Sequence, residues 1–488
     1  MDHCASVLLA FPPSSPLANN EQYHKAALAH VLKVEKMIKD NGASFVGYAS
    51  QLLEHVNPAN NSISYIALLQ TILTNDNSTP SRGELPTAIT TFLMVFDPRQ
   101  IRYVGGAFSA LLGVVQEGSL IPASIAIGLV ATALLKLDHA GTMLTSHHIP
   151  LVTQAYETDN IEPILPVIEK TIVFYPGMKG PSETRYPCDM QLPPPAYLTL
   201  ESSLTTRLSV ANVLQYDLLC GMCFIQRRAW QQAFDALERV VSYPTREGGC
   251  SKIMENAHNK WVLVGLLLNG KTPTLPAITG QGAQKAYATH GKPYTSIGKA
   301  FEQGTAETLK SEFESVGAQR WADDGNLALM RLVLTHYQRW QIMNLRNVYT
   351  KISLEQIRTR TQSAEATGPL KTTAELEALV ESMISEGMLN GVIERPADGK
   401  PAYLTFLSPT EELSEDEFKV KMFSTAQRIK DLGPIVKATN ERLATSKDYL
   451  RHLVKEQKKE KHGQTDPYTR FEQTVDDEDL MMDVVPGN

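Results

Sequence analysis

The sequence predicts a mostly α-helical protein: an array of paired amphipathic helices, an α-solenoid, that passes late in the chain into a small helix-and-strand domain and then into long charged helices. Three observations carry this. From about Glu21 to Asn347 apolar residues recur at i, i+3, i+4 and i+7, the period of helices with one buried face. Strand-like alternation is scarce over the same stretch. From the long helix expected at Trp321–Asn347 onward, the pattern changes to helix, helix, helix, hairpin.

Composition agrees with a folded chain and narrows its chemistry. At 488 residues it exceeds one ordinary core, and 43% apolar with 20% charged residues leaves ample material to bury. A net charge of -7 argues against a dedicated nucleic-acid binder, which needs a surplus of Lys and Arg on one surface. Cys4, Cys188, Cys220, Cys223 and Cys250 are few, odd in number and without framework spacing, which suits a reducing compartment, nucleus or cytoplasm. The apolar run Ala5–Phe11 lacks a basic flank, so no secretion signal is expected. Ile121–Leu137 is broken by Ser124 and Lys136 and reads as a buried helix rather than a membrane span.

In order, helices are expected at His24–His55, Ser62–Leu73, Ile121–His139, Ser146–Tyr156, Ile161–Phe174, Ser209–Ile225 and Ala229–Val241. Asn57-Pro58, Asp97-Pro98, Pro176-Gly177, Gly248-Gly249 and Asn269-Gly270 punctuate them. Asn75–Pro86 and Gly177–Pro195 are rich in Pro, Gly, Ser and Asn and read as surface loops. Tyr216–Pro244, YDLLCGMCFIQRRAWQQAFDALERVVSYP, holds a degenerate tetratricopeptide unit: Gly221 in a first helix, Ala233 in a second, Pro244 at its close. Both small residues fall where antiparallel helices must approach. Tyr216, Cys220, Cys223 and Phe224 share one face of the first helix, and Trp230, Phe234, Leu237 and Val241 one face of the second. The C-x-x-C therefore reads as packing, because nothing strand-like precedes Cys220 and no second pair completes a zinc site.

Later, Ser353-Leu-Glu-Gln356 and Thr372-Thr-Ala-Glu375 are capping boxes that open two helices. Leu376, Leu379, Val380, Met383 and Ile384 make an apolar face, Gly387 stops the helix, and Val392–Glu394 with Tyr403–Phe406 read as strands around the turn Pro396–Lys400. Three helices and a two-stranded wing make a winged helix. Its last helix carries Glu375, Glu377, Glu381 and Glu386 with no Lys or Arg, the wrong sign for a DNA groove, so the wing is expected to meet protein partners through strand edges. In Asp416–Lys461 the near-heptad row Ile429, Leu432, Val436, Leu443, Leu450 and Leu453 expects other helices, and Gly433-Pro434 is expected to kink or split it. The partner interface is thus placed at Val392, Ile393, Tyr403, Phe406 and that row. The tail beyond Gly463, with Asp476–Asp483, reads as a disordered acidic segment. The domains expected are 1–200 and 201–342 (helical repeats), 343–410 (winged helix), 411–462 (bundle helices) and 463–488 (tail).

No phosphate loop or nucleophile elbow appears. His139, His147 and His148 form the densest histidine cluster, but Asp138 beside them points elsewhere, and helix-start polar residues explain them better than a metal. Asp323-Asp324 read as N-terminal helix charges. A nucleic-acid binder would rest on Arg358, Arg360 and the Lys455–Lys461 run, and a thiol enzyme on Cys220 and Cys223. No catalytic residue, cofactor or metal ligand is assigned.

Leu144–Gly177, the Tyr216–Pro244 unit, KWVLVGLLLNGK (Lys260–Lys271), NVYTKISLEQIRTRT (Asn347–Thr361) and ESMISEGMLNGVI (Glu381–Ile393) together resemble the PCI-domain family. That family supplies scaffold subunits to the proteasome lid, the COP9 signalosome and a translation initiation complex. The likeness is greatest to a signalosome scaffold, with a lid scaffold as the alternative. The resemblance implies a non-catalytic subunit of a complex that removes a ubiquitin-like modifier from cullins. It implies partners among PCI- and MPN-domain subunits, cullin-RING ubiquitin ligases indirectly, and no small-molecule substrate or membrane.

Overall fold

Apolar faces meeting across short turns account for almost all of the architecture. The computed structural model describes residues 2–13, 19–74, 85–177, 186–244, 249–365, 368–395, 401–407, 415–445, 447, 449–451 and 453–454. The turn Pro396–Lys400, residues 75–84 and 178–185, the Lys455–Lys461 run and the acidic tail lie outside the described residues. Contacts divide the chain into two units, 1–411 and 412–488.

In the first unit one continuous core runs through the array from Leu8 to Ala364. Helices Asn20–His55, Ser62–Thr74, Leu85–Val95, Gly105–Gln116, Ala123–Leu137 and His148–Glu157 build its first part. Ala123–Leu137 is buried through Ile127, Val130, Ala133 and Leu134, and its Lys136 reaches the carbonyl of Met94 at 2.9 Å across the Phe96 ring. Among the described residues no helix is long and apolar enough to cross a membrane.

The tetratricopeptide unit forms as a hairpin of Val210–Gln226 and Trp230–Val241. Ser209 opens the first helix with a complete capping box to Asn212. Tyr216, Cys220, Cys223 and Phe224 are buried, as are Ala233, Leu237 and Val241, while Trp230 and Phe234 are half-buried against the same core. A Cβ on Gly221 would lie 2.9 Å from Leu237, so the helices touch where the glycine allows it. Lys252–Asn269 packs next, and Phe234 stacks on its Trp261 at 5.3 Å. Gly270 ends that helix with φ 66°, and a Cβ there would meet Trp340 at 2.5 Å, so two demands converge on this glycine.

Five expectations need correction. Ile161–Phe174 is helical only over Glu162–Ile168, because Pro163 and Pro166 remove donors and the chain returns as an extended segment, Val173 N–H donating to Thr142 O at 2.8 Å. The long helix at Trp321–Asn347 is two, Ala318–Asp323 and Leu327–Leu345, parted by Gly325 at φ 67°. Asp323 and Asp324 accordingly close a helix, and Asp324 accepts a bond from the Tyr294 hydroxyl at 2.7 Å. The end of the second expected loop is not at the surface: Cys188 is buried, and Arg99 and Arg102 hold its neighbourhood through the carbonyls of Cys188, Pro187 and Asp189. Lastly, Glu415–Thr445 is one helix through Gly433-Pro434, so the chain is not split into two helices there. A single proline deletes one i to i−4 bond, which a long helix spans.

Buried bases lace the array. His148 Nδ1 accepts the Thr145 amide at 3.1 Å, and buried Lys260 donates to Asn326 Oδ1 at 2.6 Å, with Tyr294 and Asp324 completing that network. Burial pushes His30, His147, His148 and His258 down to about 4.

Two outcomes follow. Gly221→Leu should lower the melting temperature well beyond Cys223→Ala, since the first must separate two helices at a cost of about 1–3 kcal/mol and the second only trims a side chain. Circular dichroism melts decide it. The histidines, depressed in the fold, contribute stability that is complete above about pH 6.5 and drains as the pH falls toward 4. Asp138 and Asp217, raised by burial, act in the opposite sense. The melting temperature should therefore decline from pH 6.5 to 4 with a wild-type slope that His148→Gln makes shallower.

Candidate partner-binding surfaces

The wing begins where the array ends. Helix Leu327–Leu345 sends Met330, Val333, Leu334 and Tyr337 into the array core and Ile342 and Met343 into a second core with Ile352, Leu354, Ile357, Leu376, Val380, Met383, Leu389 and Leu404. β1 (Lys351–Ser353) leads directly into helix Leu354–Arg360, then come helix Thr373–Ser385, β2 (Gly391–Glu394) and β3 (Tyr403–Phe406). Ser353 and Thr372 cap their helices, accepting from the amides of Gln356 at 3.3 Å and Glu375 at 3.2 Å, but the capping boxes are half formed: the return bond from the Gln356 and Glu375 side chains is not made.

The sheet has three strands in the order β1-β3-β2, all antiparallel. Sequence reasoning missed β1, a three-residue strand with only Ile352 and a capping serine to announce it. Its presence corrects the expectation that both hairpin strands offer an edge: β3 is central and paired on both sides. Leu407 N–H bonds Asn390 O at 3.0 Å, and Phe406 N–H and Leu354 N–H bond Thr350 O and Ala402 O, each at 2.9 Å. Antiparallel alternation from these bonds turns the backbone N–H and C=O of Gly391 and Ile393 outward from β2, and those of Lys351 and Ser353 outward from β1. Gly391 is buried, and Ser353 is buried with its carbonyl committed to the helix it caps, so among the described residues the edge is open at Ile393 of β2 and Lys351 of β1. Ile352, Leu404 and Ile393 stand in one row toward the core, whereas Lys351, Thr405 and Val392 share the outer face. Val392 is exposed; Ile393, Tyr403 and Phe406 are half-buried, so the last two can meet a partner through side chains alone.

Three of the four carboxylates of the acidic helix, Glu377, Glu381 and Glu386, are answered by arginines. Arg395 pairs with Glu377 at 2.6 Å and Glu381 at 2.5 Å. Arg339, on the helix shared with the array, grips Glu386 at 2.5 Å and reaches the Ser382 hydroxyl at 3.3 Å. Lys351 bonds Glu394 across β3. The arginines a nucleic-acid reading would need are also occupied: Arg358 donates to Leu370 O at 3.3 Å, and Arg360 donates to the Tyr349 hydroxyl and lies over its ring.

In the second unit the helix Glu415–Thr445 carries the heptad row, and 447, 449–451 and 453–454 are helical beyond it. Ile429 is 66% exposed and Val436 54%, with Leu432, Leu443 and Leu450 exposed and Leu453 half-buried. The row starts earlier than expected. Phe418 and Met422 precede Ile429 at the same spacing and are exposed too; Thr425 between them hid the continuation.

The alternative chemistries fare differently. The five cysteines are free thiols. Burial raises Cys220 well above an ordinary thiol and Cys223 up to about 12, so neither is poised as a nucleophile. His147 Nε2 lies 3.2 Å from the Ser109 hydroxyl and His148 is held by Thr145, at the start of a helix as expected. Among the described residues no cluster of three His, Cys, Asp or Glu is placed to hold a metal.

A helical-repeat array whose last helix is shared with a winged helix, followed by a helix displaying an apolar heptad row, is the build of a PCI-type assembly subunit. Residues 25–186 and 196–282 match the family model described as COP9 signalosome complex subunit 3, N-terminal helical repeats. COP9 signalosome complex subunit 3 of Neurospora crassa is 50% identical over 461 residues, 94% of this chain and 92% of that protein. The proteins of the same name from Emericella nidulans and Arabidopsis thaliana are 28% and 26% identical over 83% and 51% of this chain, covering 83% and 55% of their own lengths. The chain belongs to the COP9 signalosome subunit 3 family.

The two arginine clamps differ in burial, which sets their worth. Arg339→Ala removes a nearly enclosed guanidinium with bonds to two partners and should destabilise by about 1.5–3 kcal/mol. Arg395→Ala, at an exposed site, should lower the melting temperature far less. Paired thermal melts of the two variants decide it.

Proposed function

We propose that this chain is a non-catalytic scaffold subunit of the COP9 signalosome, tying together PCI- and MPN-domain subunits of a complex that removes a ubiquitin-like modifier from cullins and so regulates cullin-RING ubiquitin ligases. The observation that carries the reading is identity at half of all positions to a signalosome subunit 3 over nearly the full length of both chains. Physical features support it from another side. Among the described residues the β2 edge leaves the backbone groups of Ile393 without a strand partner beside an exposed Val392, a template for strand addition. The heptad row leaves a long apolar face on a charged helix, which suits a bundle of helices from several chains. In this reading the peptidase is a different polypeptide, no cofactor is required, and the protein works in nucleus and cytoplasm, where free thiols persist.

Affinity purification with mass spectrometry from the native source should recover PCI and MPN subunits with the full chain and lose them when the chain is cut before Glu415. A protein that remains monomeric in cell extract contradicts the proposal. Val392→Glu, at an exposed position, should shift stability by no more than about 0.5 kcal/mol while weakening recovery of at least one neighbour.

A further inference from the structure

The heptad helix carries a second pattern besides its apolar row. From Phe418 to Leu453 the a positions of the sequence are Met422, Ile429, Val436, Leu443 and Leu450, all apolar. The d positions are of two kinds: Phe418, Leu432 and Leu453 are large, whereas Thr425, Thr439 and Ser446 are small and hydroxylated. Thr425 Oγ1 donates to the carbonyl of Lys421 at 2.8 Å, so its hydroxyl is satisfied within the helix and its methyl can face an apolar neighbour.

Charge is sorted as well. The e and g positions that flank the row hold Lys419, Lys421, Arg428, Arg442 and Lys447, and no Asp or Glu. Asp431, Glu441 and Asp448 fall at c and f, away from the row. Lys421 and Lys447 are exposed, and Lys419 pairs with Glu415 at 3.0 Å and Asp416 at 3.6 Å on its own helix.

Such a helix is set against pairing with itself. Two parallel copies would stack Thr425, Thr439 and Ser446 on their equivalents as small polar layers, and would bring Arg442 of one copy, at g, to Lys447 of the other, at e. Antiparallel copies set g beside g and e beside e, again cation to cation. We infer that the helix takes a helix of a different chain, one that places large apolar residues opposite Thr425, Thr439 and Ser446 and lines its own flanks with Asp or Glu. The inference rests on the scaffold role proposed above and adds the chemistry of the partner.

Two labelled synthetic helices test it against the full-length chain, both with Leu at a and d, one with Glu and the other with Lys at every e and g. Fluorescence anisotropy at about 50 mM NaCl should show the acidic helix binding at least about tenfold tighter than the basic one, with the gap closing at about 500 mM. The chain's net charge of -7 works against this result, so it cannot arise from bulk attraction. Lys421→Glu with Lys447→Glu should erase the preference. Lys430→Glu with Lys437→Glu, the same charge change at b positions off the flanks, should preserve it and controls for folding. Sedimentation should find the free chain monomeric. Equal binding of the two helices, equal effects of the two double variants, or self-association through this helix would overturn the inference. A chain that joins the complex yet shows no acidic preference sinks this inference and leaves the scaffold role standing; a chain absent from the complex that keeps the preference does the reverse.

Discussion

Helix Leu327–Leu345 belongs to two cores at once, and the rest of the first unit is arranged around that fact. Its first half is fixed in the array by Met330, Val333, Leu334 and Tyr337, and its last turn is fixed in the wing by Ile342 and Met343. Trp340 packs against both and lies over Gly270, with its indole N–H donating to Leu267 O at 3.3 Å. Arg339, on the same turn, clamps Glu386 at the end of the acidic helix. Close-packed side chains on one continuous helix transmit orientation, because an interior at crystal density has no room for an independent rotation. The sheet edge of the wing is thereby aimed by the array rather than carried on a flexible tether.

That rigidity also explains where the charges went. Glu377, Glu381 and Glu386 of the acidic helix, which in sequence carry the wrong sign for a DNA groove, are spent on Arg395 and Arg339. Arg358 and Arg360, which look like a surface for phosphates, are spent on Leu370 O and Tyr349. Among the described residues the wing still offers backbone at its sheet edges, at Ile393 of β2 and Lys351 of β1. On the heptad helix the unspent chemistry is an apolar row between cationic flanks. Both are chemistries of assembly.

Periodic features were legible in the sequence and compensated ones were not. The helical hairpin around Gly221, Ala233 and Pro244, the caps at Ser353 and Thr372, and strands β2 and β3 each rest on local spacing, and each forms where spacing puts it. β1 escaped because three residues give no measurable alternation and its pairing partner lies some fifty residues on. The Ile161–Phe174 helix was overcalled because apolar period outweighed two prolines, and Trp321–Asn347 because a single left-handed glycine leaves the period intact on either side. Ion pairs such as Arg339 with Glu386 join residues 47 apart. No one-dimensional pattern announces them. For the same reason the heptad row was read from Ile429, although it starts at Phe418, since the hydroxyl of Thr425 hides from sequence the bond that satisfies it.

In the proposed role partners engage the sheet edge and the heptad helix while the array serves as a preformed frame. Hydrogen exchange on the free chain and on the assembled complex tests it residue by residue. New protection is expected at the amide of Ile393 and along 415–454, with the buried helices Val210–Gln226 and Lys252–Asn269 equally protected in both states. Unchanged exchange in the heptad helix and at β2, with the gain confined to the array, would contradict it.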